Sequence, residues 1–211
     1  MSCCDPNGLN GLFRGPVVRA EVRDFEKRGL NKRQRVMLKA VSGRVEDSVL
    51  DIGCGIGALG LSMLARGAAH GTFVDVSGDY LEAARSLAQR RAAAERAEFI
   101  QADFVQADLS PADIVLLDRV VCCYPDAPAL LRKAAAHSSR QLVFSYPRPT
   151  WWMHLAKGLL NLGMRVWRKE YRFYLHGREA LLAAASSHGH TLYSETAVGL
   201  WRVATFTIPP R

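Results

Sequence analysis

The stretch Val49-Leu50-Asp51-Ile52-Gly53-Cys54-Gly55-Ile56-Gly57 decides the fold. The short apolar run Ser48 to Ile52 reads as a strand, and Ala58 to Ala69 beyond the glycines reads as a helix. Glycines at such a junction let the chain turn tightly and let a ligand approach backbone without meeting a Cβ. The helix amino end that follows offers unpaired N–H groups and the positive end of a dipole. A dinucleotide site spaces its glycines unevenly, as G-x-G-x-x-G, and a triphosphate loop ends in Gly-Lys followed by Ser or Thr. This turn reads Gly53-x-Gly55-x-Gly57, with Asp51 two residues ahead. A carboxylate there is unhelpful to a pyrophosphate and suited to a cationic ligand.

Outward from this turn the same rhythm repeats. Thr72 to Val76 reads as a second strand, Tyr80 to Ala97 as a helix rich in strong helix formers, and Glu98 to Gln101 as a third strand. Asp113 to Asp118 is a continuous apolar run between acids, as in a strand buried on both faces. Ala127 to His137 is another helix and Gln141 to Ser145 a fifth strand. Strand and helix in alternation predict a parallel sheet covered by helices on both faces, with right-handed crossovers. Arg178 to Ser187 reads as a last helix. Thr191 to Ser194 and Arg202 to Ile208 read as closing strands, joined in a hairpin through Ala197 to Leu200. Ahead of the first strand, Asn31 is a candidate N-cap for a helix carrying Val36, Met37, Ala40 and Val41, with Gly43 as its stop.

The glycine turn resembles motif I of the class I S-adenosylmethionine-dependent methyltransferases, and three further features fit that family in order. Asp75 closes the second strand, where the family's acid accepts hydrogen bonds from the ribose hydroxyls. Asp103, in Gln101-Ala102-Asp103-Phe104, matches the acid that receives the adenine amino group. The fourth strand leads into Arg119-Val120-Val121-Cys122-Cys123-Tyr124-Pro125-Asp126, which resembles the motif IV loop that faces the methyl group. The resemblance covers about residues 45–146. It implies an α/β, Rossmann-like fold: a mostly parallel seven-stranded sheet, helices on both faces and a closing antiparallel hairpin. It implies S-adenosyl-L-methionine as cofactor. Its binding residues would be Asp51, Gly53, Cys54, Gly55 and Gly57 from the turn, Asp75, Val76 and Ser77 after the second strand, Asp103 and Phe104 after the third, and Asp118 and Arg119 after the fourth.

For the acceptor, the residues read as facing the methyl are Cys122, Cys123, Tyr124 and, after the fifth strand, Tyr146. Of these, Cys123, Tyr124 and Tyr146 are the candidates for a catalytic part. Many small-molecule members of the family carry His-His or Glu-His where this chain has Cys122-Cys123, so a histidine base at that spot is absent. Residues 146–177 read as an aromatic and basic helical insert over the substrate pocket, where Trp151, Trp152 and His154 would close the site. His154, Lys157, Asn161, Arg165, Arg168 and Arg172 recur every three or four residues on one face, read as a solvated stripe, with Trp152, Leu155, Leu159 and Val166 lying away from it. The tryptophans also read as packing between this insert and the sheet. A fainter resemblance to the magnesium-protoporphyrin O-methyltransferases, in layout and in this insert, points to a flat, lipophilic acceptor carrying negative charge. Residues 1–47 are read as a helical lid over the cofactor and 48–211 as the methyltransferase domain.

Composition narrows the remaining choices. The 211 residues are 49% hydrophobic and 23% charged, which excludes wholesale disorder and fibrous repeats. No apolar run approaches the roughly 18–20 residues of a membrane span, and Met1 to Gly15 lacks the apolar core of a secretory signal. The cytoplasm is the expected compartment. The net charge of +8 draws the chain toward anions: an acidic small molecule, an anionic membrane surface touched peripherally, or nucleic acid. Base-methylation motifs of the Asn/Asp-Pro-Pro-Tyr and Pro-Cys types are absent, which makes a nucleic-acid partner the lesser reading. An RNA methyltransferase and a non-catalytic cofactor-binding module stand as the alternatives. Of five cysteines, four form the adjacent pairs Cys3-Cys4 and Cys122-Cys123, with no zinc-type spacing; they read as reduced thiols and no resident metal is expected. The vicinal pair at 122–123 is either small buried filling or a ligand for trivalent arsenic or another soft ion.

Overall fold

The computed structural model describes residues 15–41, 46–148, 150–167 and 172–209. Cys3, Cys4, Gly43 and Arg168 lie outside the described residues, as do the side chains of Trp151, Trp152, His154 and Leu155.

Seven strands form one sheet: β1 (Ser48–Ile52), β2 (His70–Asp75), β3 (Ala97–Gln101), β4 (Ala112–Leu117), β5 (Ser138–Pro147), β6 (Thr191–Val198) and β7 (Trp201–Thr207). Their order is β3-β2-β1-β4-β5-β7-β6. The pairs among β1 to β5 are parallel, whereas β7 runs antiparallel to both β5 and β6. The helices are α1 (Gly15–Arg28), α2 (Lys32–Ala40), α3 (Ala58–Leu64), α4 (Gly78–Arg90), α5 (Ala127–Ala136), α6 (Trp151–Val166) and α7 (Arg178–Ala185).

Strand alternation divides the core. On β4, Val115 and Leu117 face one apolar cluster, shared with Leu130 and Leu131 of α5 and Leu181 of α7. Ile114 and Leu116 face the other, shared with Met37, Leu59, Leu61 and Leu87 of α2, α3 and α4. The central strands are covered on both sides, which accounts for their unbroken apolar sequences. Chain order reverses between β1 and β4, so the two crossovers leave to opposite sides and a crevice opens at the strands' carboxyl ends.

Local chemistry sets the boundaries. Asn31 caps α2 in a reciprocal box: its side chain accepts from the Gln34 N–H, and the Gln34 side chain accepts from the Asn31 N–H. Ser77 and Asp126 cap α4 and α5 by single bonds, their side chains accepting the N–H groups of Tyr80 and Ala129. The helix expected to reach Ala97 stops at Arg90, because Ala92 turns left-handed (φ 52) and the Ala93 N–H returns to the Ala88 carbonyl.

Two larger differences concern the C-terminal third. β5 continues to Pro147, with Tyr146 paired to Arg202 of β7, two residues beyond the expected end. Helix α6 lies with much of its apolar side in solvent: Leu159 is 63% exposed, Leu162 59% and Val166 70%, and Trp167 just beyond is 72% exposed. Asn161, expected on the solvated stripe, instead holds Phe173 through two hydrogen bonds: its Nδ2–H donates to the Phe173 carbonyl (2.9 Å) and its Oδ1 accepts the Phe173 N–H (2.8 Å).

Candidate active site

A cavity of about 420 Å³ opens at the carboxyl ends of β1, β2, β3 and β4. The turn after β1 forms its floor. Gly53, Gly55 and Gly57 all have positive φ (61°, 55° and 72°), a conformation that favours glycine. At Gly55 a Cβ would meet nothing closer than the Tyr80 ring at 3.9 Å, so the backbone there lies open to a ligand. Gly57 differs from expectation. Its Cβ position points at Phe73 and Ala84, both 3.3 Å away, so it serves packing rather than cofactor contact.

Each strand tip then contributes a carboxylate. Asp51 on β1 is buried and accepts the Gly60 N–H at 3.0 Å. Burial pushes its carboxyl up to about 7; the Gly60 bond opposes this, and the nearby Asp118 and Asp75 add to it. Asp75 ends β2 and accepts two backbone bonds, from Gly55 N–H at 2.8 Å and Ser77 N–H at 2.9 Å. Burial raises its carboxyl despite those bonds. Asp103 follows β3, accepting from Val105 N–H through one oxygen and from the Tyr124 hydroxyl through the other. Asp118, just past β4, is gripped by Arg33 from α2, with Nε at 2.5 Å and Nη2 at 2.9 Å, and accepts from the Ser145 hydroxyl at 2.7 Å.

Beyond Asp118 the chain turns left-handed at Arg119 (φ 63) and enters a single 3-10 turn, Val121–Cys123. Cys122, Cys123 and Tyr124 line the wall there with Phe173. The Tyr174 N–H donates to the Cys122 carbonyl at 2.8 Å, and His176 Nε2–H donates to the Tyr124 carbonyl at 2.9 Å. Burial lowers the His176 pKa, which keeps the ring neutral near pH 7.

Residues 49–140 match the model of a family described as a methyltransferase domain. That match spans a little under half of the chain and covers β1 to β4 and α5. The chain's fold is similar to magnesium protoporphyrin IX methyltransferase from Synechocystis PCC 6803 with bound SAH, with a TM-score of 0.74 and 19% identity over 97% of this chain and 100% of that one. The same protein with bound SAM gives 0.72 and 18%, over 97% of each chain. An O-methyltransferase family 2 protein from Planctomyces limnophilus DSM 3776, in complex with apigenin, gives 0.67 and 15% over 90% of this chain and 61% of that one. At these identities the likeness is one of fold. No curated protein sequence matches the chain significantly.

The cavity brings together most of the residues singled out in the sequence. Asp51, Gly53, Cys54 and Gly55 lie on its wall, as do Asp75, Val76 and Ser77. Asp103, Phe104, Asp118 and Arg119 lie on it too. Tyr146 is a correction: it is fully buried in the sheet, and its hydroxyl donates to Glu195 rather than facing an acceptor. The reason is the longer β5, which carries Tyr146 into the core instead of onto a loop.

Sequence reasoning passes over Glu21 and Gln34 from the amino-terminal helices, Tyr80 from α4, and Phe173 and Trp201, all on the cavity wall. Burial and then Glu21 raise the Tyr80 phenol, and the Arg119 guanidinium pairs with Glu21 at 3.2 Å. No local pattern marks these residues, since they arrive from distant segments. Gly60 did carry a signal. With Gly55 and Gly57 it completes a G-x-G-x-x-G spacing, and a Cβ there would come within 2.5 Å of Phe73 and 2.9 Å of the Asp51 carboxylate. Its absence of side chain sets α3 close enough to bond Asp51.

Proposed function

We propose that this methyltransferase uses the cavity to move a methyl group from S-adenosylmethionine to a small acceptor that is flat, lipophilic and already anionic. The observation that carries the reading is the convergence of Asp51, Asp75 and Asp103, from three adjacent strand tips, on one cavity floored by Gly55. The donor set fits the group: acceptor carboxylates suit hydroxyls and an amino group, a further carboxylate suits a cation, and the bare Gly55 backbone gives room. When bound, S-adenosylmethionine supplies an electrophilic methyl carbon on a cationic sulfur that leaves as a neutral thioether.

The chain's own residues position and enclose. Asp75 is already aligned by the Gly55 and Ser77 N–H groups, so it meets ribose hydroxyls without reorganising. Tyr124, tied to Asp103, stands on the wall between donor and acceptor sides. Glu21 of α1 and Gln34 of α2 close the donor side as a lid that excludes water. The acceptor side is formed by Tyr124, Phe173 and the thiols of Cys122 and Cys123, and Arg119, paired with Glu21, is a cation on the same cavity's wall. Such a wall suits a flat apolar body with an acidic group. An acceptor ionised at neutral pH, such as a carboxylate, needs placement rather than a base.

The exposed apolar side of α6 fits a peripheral seat on an anionic membrane. Leu159, Leu162, Val166 and Trp167 would enter the interface, and the net charge of +8 would hold the chain to it. No helix among the described residues is long and apolar enough to cross a membrane.

The test is transfer of labelled methyl from S-adenosylmethionine to fractionated cell extract, with mass spectrometry of the product, in the presence and absence of anionic vesicles. The expected product is a methyl ester of a flat lipophilic acid, formed faster with vesicles. Labelled RNA, or donor binding without turnover on any fraction, would overturn the reading.

A further inference from the structure

Cys122 and Cys123 stand side by side in the 3-10 turn, both on the cavity wall. Neighbouring side chains on a helical turn normally diverge. Here both thiols reach back to one acceptor, the Arg119 carbonyl, at 3.3 and 3.4 Å, and their sulfurs lie 3.7 Å apart. Neither is joined in a disulfide.

A disulfide between them would fit poorly. Cα atoms across a trans peptide are fixed about 3.8 Å apart, below the roughly 4.4–6.8 Å that disulfides span. Inserting one atom between the sulfurs removes the misfit. Two bonds of about 2.3 Å meeting at the roughly 95–100° angle of a pyramidal trivalent centre hold sulfurs about 3.5 Å apart, within a few tenths of an ångström of the 3.7 Å found. Among the described residues no group of three His, Cys, Asp or Glu could hold a metal ion, so a centre demanding three or four protein donors is not served. A soft centre that takes two sulfurs and brings its own third substituent is served.

We propose that Cys122 and Cys123 form a dithiol capture site for monosubstituted trivalent arsenicals and equivalent thiophilic species on the acceptor side of the cavity. The step is a condensation: R–As(OH)2 and two thiols give R–As(S-Cys)2 and two waters. Two As–O bonds break, two As–S bonds form, each thiol proton leaves with a departing hydroxide, and arsenic remains trivalent. The hydrogen bond with Cys123, followed by burial, pushes the Cys122 thiol well up, so it is protonated at neutral pH. The departing hydroxide takes that proton, so no prior thiolate is needed. The substituent R would project beside Tyr124 and Phe173, where the acceptor binds in the reading above. The capture itself needs only the two sulfurs and stands apart from that reading.

The test uses the full chain with Cys3→Ser and Cys4→Ser, which removes the other adjacent pair, and phenylarsine oxide as probe. Native mass spectrometry is followed by challenge with excess monothiol and then with a 1,2-dithiol. The expected result is one adduct per chain that survives the monothiol, is released by the dithiol, persists in Cys54→Ser, and is lost in Cys122→Ser and Cys123→Ser. An adduct stripped by monothiol, retained in either pair variant or lost in Cys54→Ser overturns the proposal. Should Cys122→Ser fail to fold by circular dichroism, the more exposed Cys123→Ala decides alone. No readout depends on methyl transfer, so failure here leaves the methyl-donor reading standing.

Discussion

The two ends of the cavity are built by different means. On the donor side, Asp51 and Asp75 lie at strand ends, and both are fixed by backbone N–H groups of the turn and helix that follow β1. Sheet register sets their spacing. On the acceptor side, Phe173 is held by Asn161, and Tyr124 by His176, through contacts between segments far apart in the chain. One end is a template written in backbone, and the other a wall assembled from side chains. The first tolerates little change, and the second can be retuned without disturbing it.

The largest effect is expected from Gly55→Val, whose side chain would enter the donor space from a backbone at φ 55. Donor binding by calorimetry should fall more than about 100-fold, roughly 2.7 kcal/mol, while the far-ultraviolet dichroism stays native. Asp75→Ala should weaken donor binding by about 1–3 kcal/mol, a factor of roughly 5–150, through lost charge-assisted hydrogen bonds. Unchanged affinity would remove Asp75 from the template.

Asp51 offers a pH test. Its carboxyl, raised to about 7 by burial, is ionised later in the folded protein than in the unfolded chain. The folded state therefore holds a proton that the unfolded state loses near pH 4, and stability without ligand should fall as pH rises from about 4 to 7. A cationic donor favours the ionised form. Its affinity should rise about tenfold per pH unit up to about pH 7 and then level off. Asp51→Asn should flatten that slope, and a slope that persists would assign the proton elsewhere. The smallest effect belongs to the acceptor wall. Asn161→Ala removes both bonds to Phe173 and should raise the acceptor KM several-fold, with donor affinity within about twofold of the parent. A matching loss of donor affinity would mean the two ends are not separable.

The donor end was legible because its signals are local. A strand, a glycine turn and an acid at each strand tip are properties of consecutive residues, and parallel pairing brings them together without further information. The acceptor end was not. Tyr146 reads as a loop residue until β7 pairs with β5 and extends it. Asn161 shares helical spacing with lysine and arginine, and only the passage of residues 172–177 beneath α6 turns it inward. Phe173 and Trp201 carry no pattern at all; they matter because tertiary contacts place them at a rim formed by other segments.

Arg33 holds Asp118 with two prongs while its guanidinium lies over the Trp201 ring, 5.0 Å from the centroid, and both members of the ion pair are only 10% exposed. Swinging α2 outward would strip a nearly dry carboxylate of its counter-charge and unstack an indole in the same motion. One side chain thus pins the α2 wall of the chamber twice, by charge and by stacking.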